Sequence, residues 1–284
     1  MAHGTRAEQE ALVRHSCAAL PADAWRSVPP DALEVSVLSG AMTNAMFLCR
    51  VPGGSTAAIV RIFGELGALV DRALEMAVFD RLARENIGPG MLGVIYADGT
   101  VGALDLAEGG AKTPIGRIEE FLDGWITLGA QHYQCRSSRH LVAISTKLAR
   151  CHEIEMACAS REARILKDLE VQSSLVVHGA VPGGQERWQS LMTAPIDISA
   201  AAGALIAELS AQQLGAGDVC FCHNDLQHGN VLMKGDGEEY TFIDFEYAGY
   251  NPVYFDMANI WCEVPADYTE GSSSVGFLQV CESE

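Results

Sequence analysis

The sequence predicts an α+β protein of two lobes, an antiparallel sheet carrying one main helix followed by a mostly helical half. Three observations carry this. Short apolar runs separated by Gly/Pro turns fill residues 33 to 63, a single strong helical stripe occupies 70–85, and helical periodicity dominates beyond residue 122. At 284 residues and 49% hydrophobic content, the chain can bury a sizeable core in one large domain or two lobes. The joint is expected at 120–124, dividing an N-terminal lobe (1–121) from a C-terminal lobe (122–284).

Residues 6–20 alternate apolar and charged positions at helical spacing, and Pro29-Pro30 ends that opening helix. Leu33 to Leu38, Ala45 to Val51 and Ala57 to Phe63 then read as strands. Ser39-Gly40-Ala41 and Pro52-Gly53-Gly54 break between them. In 70–85 the apolar residues fall at 70, 74, 78, 79 and 82, a helical stripe stopped by Gly88-Pro89-Gly90. Two more strands are expected at 91–96 and 115–122. Helices follow at 139–155, 160–172 and 199–214, and strand-like runs return at 219–222, 230–234 and 240–245. No solenoid-length repeat or low-complexity linker interrupts the chain.

The net charge of -18 excludes a nucleic-acid partner, because phosphate backbones require a Lys/Arg footprint. Nine cysteines form an odd, scattered set, which reads as reduced thiols in a cytoplasmic protein. The first twenty residues carry charges throughout and no apolar core, so no signal peptide is expected. No apolar run is long enough for a membrane span.

The chemistry concentrates in residues 219–234, VCFCHNDLQHGNVLMK. His223-Asn224-Asp225-Leu226-Gln227-His228-Gly229-Asn230 fits H-x-D-x-x-x-x-N, and Asp244 follows fourteen residues after Asn230, expected to end an apolar strand. In phosphoryl transfer this spacing supplies an Asp to receive the acceptor hydroxyl's proton and an Asn and a second Asp to hold a metal. A transferring phosphoryl group keeps its negative charge, so the site needs hard oxygen ligands for Mg²⁺ and one carboxylate aimed at the attacking oxygen. Asp225 is the expected base, with Asn230 and Asp244 as metal ligands. Read alone, the same residues also suit an ordinary turn. Cys220-x-Cys222-His223 reads as small core thiols, since no second cysteine pair stands at zinc-like spacing.

The run Ile243-Asp244-Phe245-Glu246-Tyr247-Ala248-Gly249-Tyr250-Asn251-Pro252, then Phe255-Asp256-Met257-Ala258-Asn259 and Cys262-Glu263, resembles the signature of choline/ethanolamine kinases. FCHNDLQHGN matches that family's form of the catalytic loop. The resemblance extends with gaps from about residue 33 to about 268. It implies a two-lobed protein-kinase-like fold, ATP and Mg²⁺ as cofactors, and transfer of the γ-phosphate to choline or ethanolamine. Cys262-Glu263 and DLQHGN look more like choline-type members. An aminoglycoside-like acceptor, a catalytically weak partner subunit, and a homodimer stay open.

The resemblance also assigns residues. Ser39, Gly40, Thr43 and Asn44 fall in the likeness of the nucleotide loop, which alone would read as a turn. Arg61 ends the likeness of the strand whose Arg replaces the protein-kinase Lys, and a guanidinium there can fork onto phosphate oxygens. Glu75 matches its family partner, with a solvated helix face as the other reading. Glu120 and Leu122 lie in the likeness of the adenine hinge. A quaternary ammonium offers no hydrogen-bond donor, so its site needs aromatic faces and carboxylates. Tyr247, Glu263 and Tyr268 match positions near the choline pocket, and Glu246 adjoins the metal site. Tyr250, Tyr254 and Trp261 read equally as core or surface aromatics, and His152 as a packing or hydrogen-bonding residue. The likeness is expected to fade after Tyr268 in the polar ending EGSSSVGFLQVCESE. That would leave the distal pocket wall to another element and weaken choline turnover.

Overall fold

Helix α1 (Arg6–Ala18) starts with a capping box, Thr5 and Glu8 satisfying each other's backbone amides. After a short turn, α2 (Asp23–Arg26), the chain enters β1 (Glu34–Val37), β2 (Asn44–Arg50) and β3 (Ala57–Phe63). Gly53, at φ 68°, makes the β2–β3 turn in the left-handed region where a side chain is costly. Helix α3 (Arg72–Arg84) precedes β4 (Met91–Tyr96), the two-residue β5 (Val101–Gly102) and β6 (Pro114–Glu120). These six strands form one antiparallel sheet in the order β1-β2-β3-β6-β4-β5. Ile62 pairs with Gly116, whose added Cβ would lie 2.5 Å from the Arg61 carbonyl oxygen; only glycine admits that approach.

The computed structural model describes residues 5–38, 44–64, 72–105, 112–129, 132, 139–161, 163–165, 198–211, 218–235, 237, 239–263, 266–267 and 276–277. Within them the expected order of three strands, a helix and two further strands holds, with the two-residue β5 added between the last two. The sheet is covered on both faces. Ile95 packs with Val13 and Cys17 of α1, whereas its neighbours Val94 and Tyr96 pack with Met76 of α3. Successive strand residues point to opposite faces, so this alternation places α1 on one side and α3 on the other.

Beyond β6 come β7 (Trp125–Thr127), α4 (Arg139–His152), α5 (Ile198–Ala211), β8 (Val219–Cys222), β9 (Val231–Lys234), β10 (Glu239–Phe242), β11 (Gly249–Pro252) and α6 (Tyr254–Glu263). Two two-residue strands, β12 (Ala266–Asp267) and β13 (Gly276–Phe277), pair with each other. β10, β9 and β7 make a three-stranded sheet, and β11 pairs with β8. The strand expected at 240–245 stops at Phe242. Asp244 therefore lies beyond it, at φ 65°, rather than in an extended strand. The helix expected at 160–172 falls mostly outside the described residues.

The chain divides into two compact units. Unit 1 comprises 1–148, 227–246 and 263–284; unit 2 comprises 149–226 and 247–262. The lobe joint expected at 121/122 lies within unit 1, because the β9–β10 hairpin packs there. Phe242 N donates to Ile87 O (3.0 Å), and Phe245 meets Phe79 edge-on at 6.2 Å. No helix among the described residues is long and apolar enough to cross a membrane.

Candidate active site

In unit 1 the β9–β10 hairpin sets the expected metal ligands side by side. Its last register pair is Val231 with Phe242, and Ile243 N then donates to Asn230 O at 3.0 Å. Asn230 is buried at the end of a 3₁₀ turn, and Asp244, about a third exposed, follows the hairpin. The left-handed backbone at Asp244 turns the chain away from the strand direction. Such a conformation costs roughly 1–3 kcal/mol and concentrates at functional sites. Arg61, from β3, donates from Nη1 to Asp244 Oδ1 (3.4 Å) and from Nε to Glu119 Oε1 (3.2 Å).

From Arg61 a chain of alternating charge runs under the sheet. Arg117 donates to the same Glu119 oxygen and to Glu75 Oε1, both at 2.7 Å. Arg72 donates to Glu75 Oε2 (2.6 Å) and to Asn44 Oδ1 (3.0 Å). β3 and β6 pair Arg61 with Arg117, so both guanidiniums and Glu119 lie on the α3 face, opposite Val60 and Ile118. Arg117 is only 1% exposed, with its guanidinium 4.2 Å from the Phe79 ring centroid. Burial pushes both Glu75 and Glu119 up, but the flanking arginines outweigh it and hold both carboxyls below their ordinary range. Arg61 is raised: burial opposes its charge, and Glu119, Asp244 and Glu75 overcome that. Glu75 is thus a buried ion partner, not a solvated helix residue. Its hydrogen bonds go to Arg117 and Arg72, and Arg61 is bonded to Glu119 instead.

The other expected residues divide. Ser39, Gly40, Thr43 and Tyr268 lie outside the described residues. Asn44 opens β2 and joins the arginine network through its side-chain oxygen. Glu120, turned from the network by strand alternation, accepts from Gly90 N at 3.0 Å. Leu122 accepts Trp125 N in the following turn. Glu246 is half-buried, and burial first, then Asp244 and Glu75, raise its carboxyl. Tyr247 is exposed, with the Arg164 guanidinium 5.8 Å from its ring centroid, and Glu263 ends α6 half-buried. Tyr250 is a buried aromatic against Phe221, whereas Tyr254 and Trp261 are exposed.

Unit 2 holds Asp225 by its backbone. The carboxylate of Asp256, fully buried in α6, accepts His223 N (2.8 Å) and Asn224 N (2.7 Å). Asn259, one turn on, accepts Leu226 N. Asn224, at φ 68°, donates through Nδ2 to Tyr247 O (2.8 Å) and accepts from Asn251 Nδ2 (2.7 Å). Asp225 N donates to His223 Nδ1 at 3.3 Å. The loop is therefore clamped on both sides of the half-buried Asp225. Sequence reasoning assigned no role to Asp256, Asn259, Arg117, Glu119 or Arg72. A signal was present for the first two, polar residues three apart on the apolar helix FDMANIW.

Asp256 also takes His152 Nε2 at 3.0 Å. Burial lowers His152, but its hydrogen bonds to Asp256 and Cys220 outweigh this and raise it to about 9. Cys220 lies 3.6 Å from Cys222. The hydrogen bond from Cys222, helped by His152 and opposed by burial, brings Cys220 down to about 5, while Cys222 is pushed up. A depressed thiol keeps its reactive thiolate until pH falls toward 5. Iodoacetamide at pH 6.5 is therefore expected to label Cys220 ahead of the exposed Cys158 and Cys262, with His152→Gln moving that labelling to higher pH. Mass-spectrometric rates decide it. Equal labelling of all three thiols at pH 6.5 refutes the assignment.

The sheet covered by α3 and the clamped loop define a protein-kinase-like fold. A solved choline kinase from Cryptosporidium parvum Iowa II superposes with a TM-score of 0.68, covering 94% of this chain and 73% of that one at 21% identity. The chain belongs to the choline/ethanolamine kinase family, which it matches over residues 35–103 and 112–280. That match passes Tyr268, where the likeness was expected to fade. "Probable choline kinase 3" of Arabidopsis thaliana is 31% identical over 252 residues, covering 86% of this chain and 64% of that protein. The human "Choline/ethanolamine kinase" is 28% identical over 257 residues, covering 87% and 58%. The chain thus spans about three fifths of the length of these curated relatives.

Proposed function

We propose that this protein catalyses ATP-dependent phosphorylation of choline, with ethanolamine as the next acceptor. The observation that carries this reading is the placement of Asn230 and Asp244 at one end of the β9–β10 hairpin, with Arg61 bonded to Asp244. An amide oxygen and a carboxylate are the hard donors that Mg²⁺ selects, so the residues present fit that ion. Bound there with the nucleotide, Mg²⁺ would offset the charge of the phosphate oxygens. Asp225 takes the proton of the acceptor hydroxyl. Arg61 has five N–H donors; Nε and Nη1 reach carboxylates, and we assign the other donors to phosphate. Glu246, Tyr247, Glu263 and Tyr268 are the residues we assign to the cationic acceptor, and Ser39, Gly40, Thr43, Asn44, Glu120 and Leu122 those we assign to the nucleotide.

A cytoplasmic site of action is part of this reading, in keeping with the seven described cysteines, which all carry thiols. The test is Mg-ATP consumption with choline, with ethanolamine and with no acceptor. Consumption that rises with choline supports the proposal, and a larger rise with ethanolamine selects the second reading, an acceptor that the relatives' dual names include. Consumption unaffected by either acceptor rejects both.

A further inference from the structure

Unit 2 contains a cluster that phosphotransfer does not use. Cys220 and Cys222 alternate along β8, so both sulfurs leave the same face of the strand. His152 ends α4, and the end of that helix is tied to β8 by Cys151, whose Sγ approaches Phe221 O at 4.0 Å. One ring nitrogen of His152 and the two sulfurs all lie within 4.8 Å of one another. The Sγ–Sγ separation of 3.6 Å is close to the roughly 3.8 Å that two thiolates take on one tetrahedral zinc at about 2.3 Å.

We propose that His152, Cys220 and Cys222 form a binding site for one thiophilic cation of the zinc type, distinct from the proposed Mg²⁺ ligands. Nitrogen with two sulfurs is a soft donor set that disfavours Mg²⁺ and favours zinc. Three protein ligands leave a fourth position for water or a further ligand. Asp256, hydrogen-bonded to His152, supplies the carboxylate that orients a metal-bound imidazole. Access exists, because Cys220 is half-buried and the His152 side chain is 12% exposed. Binding releases the thiol and imidazolium protons to solvent as the two thiolates and the neutral ring take the ion. The same Asp256 holds His223 and Asn224, so the ion would brace the loop that carries Asp225.

The test uses the reduced, chelator-treated full chain with Co²⁺ as a spectroscopic probe and Zn²⁺ as competitor. One equivalent of Co²⁺ is expected to give a thiolate-to-cobalt charge-transfer band that one equivalent of Zn²⁺ removes. Zn²⁺ is also expected to raise Tm. Cys220→Ser and His152→Asn should each weaken Zn²⁺ binding by about 100-fold or more, with metal-free melts checking that both fold. The double variant Cys158→Ser/Cys262→Ser should bind as the parent does. No band at one equivalent, a band retained in Cys220→Ser, or a band lost only in the double variant each overturns the site. Because it rests on unit 2 alone and is read by spectroscopy, its failure leaves the kinase proposal standing.

Discussion

Replacing Asp225 by alanine is expected to lower acceptor-dependent ATP turnover by at least about 10²-fold, within the range of about 10²–10⁴ typical of a general base. The side chain is half-buried, and the flanking backbone amides are taken by other residues. Asp256 and Asn259 take the flanking amides, and Asn224 is knitted to Tyr247 and Asn251. The loop should therefore keep its shape in the variant, and the effect should fall on kcat rather than on folding. Steady-state kinetics with choline, beside a thermal melt, separate the two. A folded Asp225→Ala protein with kcat within threefold of the parent would remove Asp225 from the role of base. Asp225→Asn should behave like the alanine variant, because it keeps the size of the side chain and loses the proton acceptor.

The largest stability effect is expected at Glu119. Its carboxylate receives both Arg61 and Arg117, and truncation to alanine leaves two buried guanidiniums without their shared partner. Breaking a buried ion pair from one side costs about 3–5 kcal/mol, because the remaining charge stays desolvated. For a protein of this size that corresponds to a fall in Tm of about 10 °C. Glu120→Ala is the control. It lies one residue away on the opposite side of β6, exposed, and is expected to cost about 1 kcal/mol or less. Urea unfolding of both variants makes the comparison. Equal losses would mean that the arginine chain contributes no more than a surface contact.

Much of the fold was legible because its signals are local. β4 and β8 lie at the expected 91–96 and 219–222, β3 at 57–63, and α3 within two residues of each expected end. Alternation with Gly/Pro punctuation is a short-range property, and so is a helical stripe. The strand expected at 240–245 failed at its last three residues for a physical reason. Ile243 and Phe245 continue the apolar run, but the backbone turns left-handed at Asp244, a change that side-chain pattern does not report. The short strands β5 and β7 were missed because two or three residues carry too little periodicity to register, and β11, Gly-Tyr-Asn-Pro, because its residue types read as a turn.

The candidate site divides along the same line. Asp225, Asn230 and Asp244 could be nominated from the chain, because the phosphotransfer we propose requires particular residue types at nearly fixed spacing. Their supports could not. Whether Arg61 meets Glu75 or Glu119 depends on the β3–β6 register and on which sheet face α3 covers. Asp256 reaches the loop of Asp225 only because α6 lies against it, 33 residues downstream of His223. His152 stands 68 positions before Cys220, and the histidine next to the cysteines in sequence, His223, is not the one the fold brings to them. By itself, then, the sequence determined the α+β class and the order of its main elements, and it nominated the residues of the proposed phosphotransfer. Tertiary structure alone decided how the buried charges pair and which thiols meet a histidine. Ion pairs and ligand clusters form where separate elements converge, and convergence is a property of packing that neither periodicity nor spacing encodes.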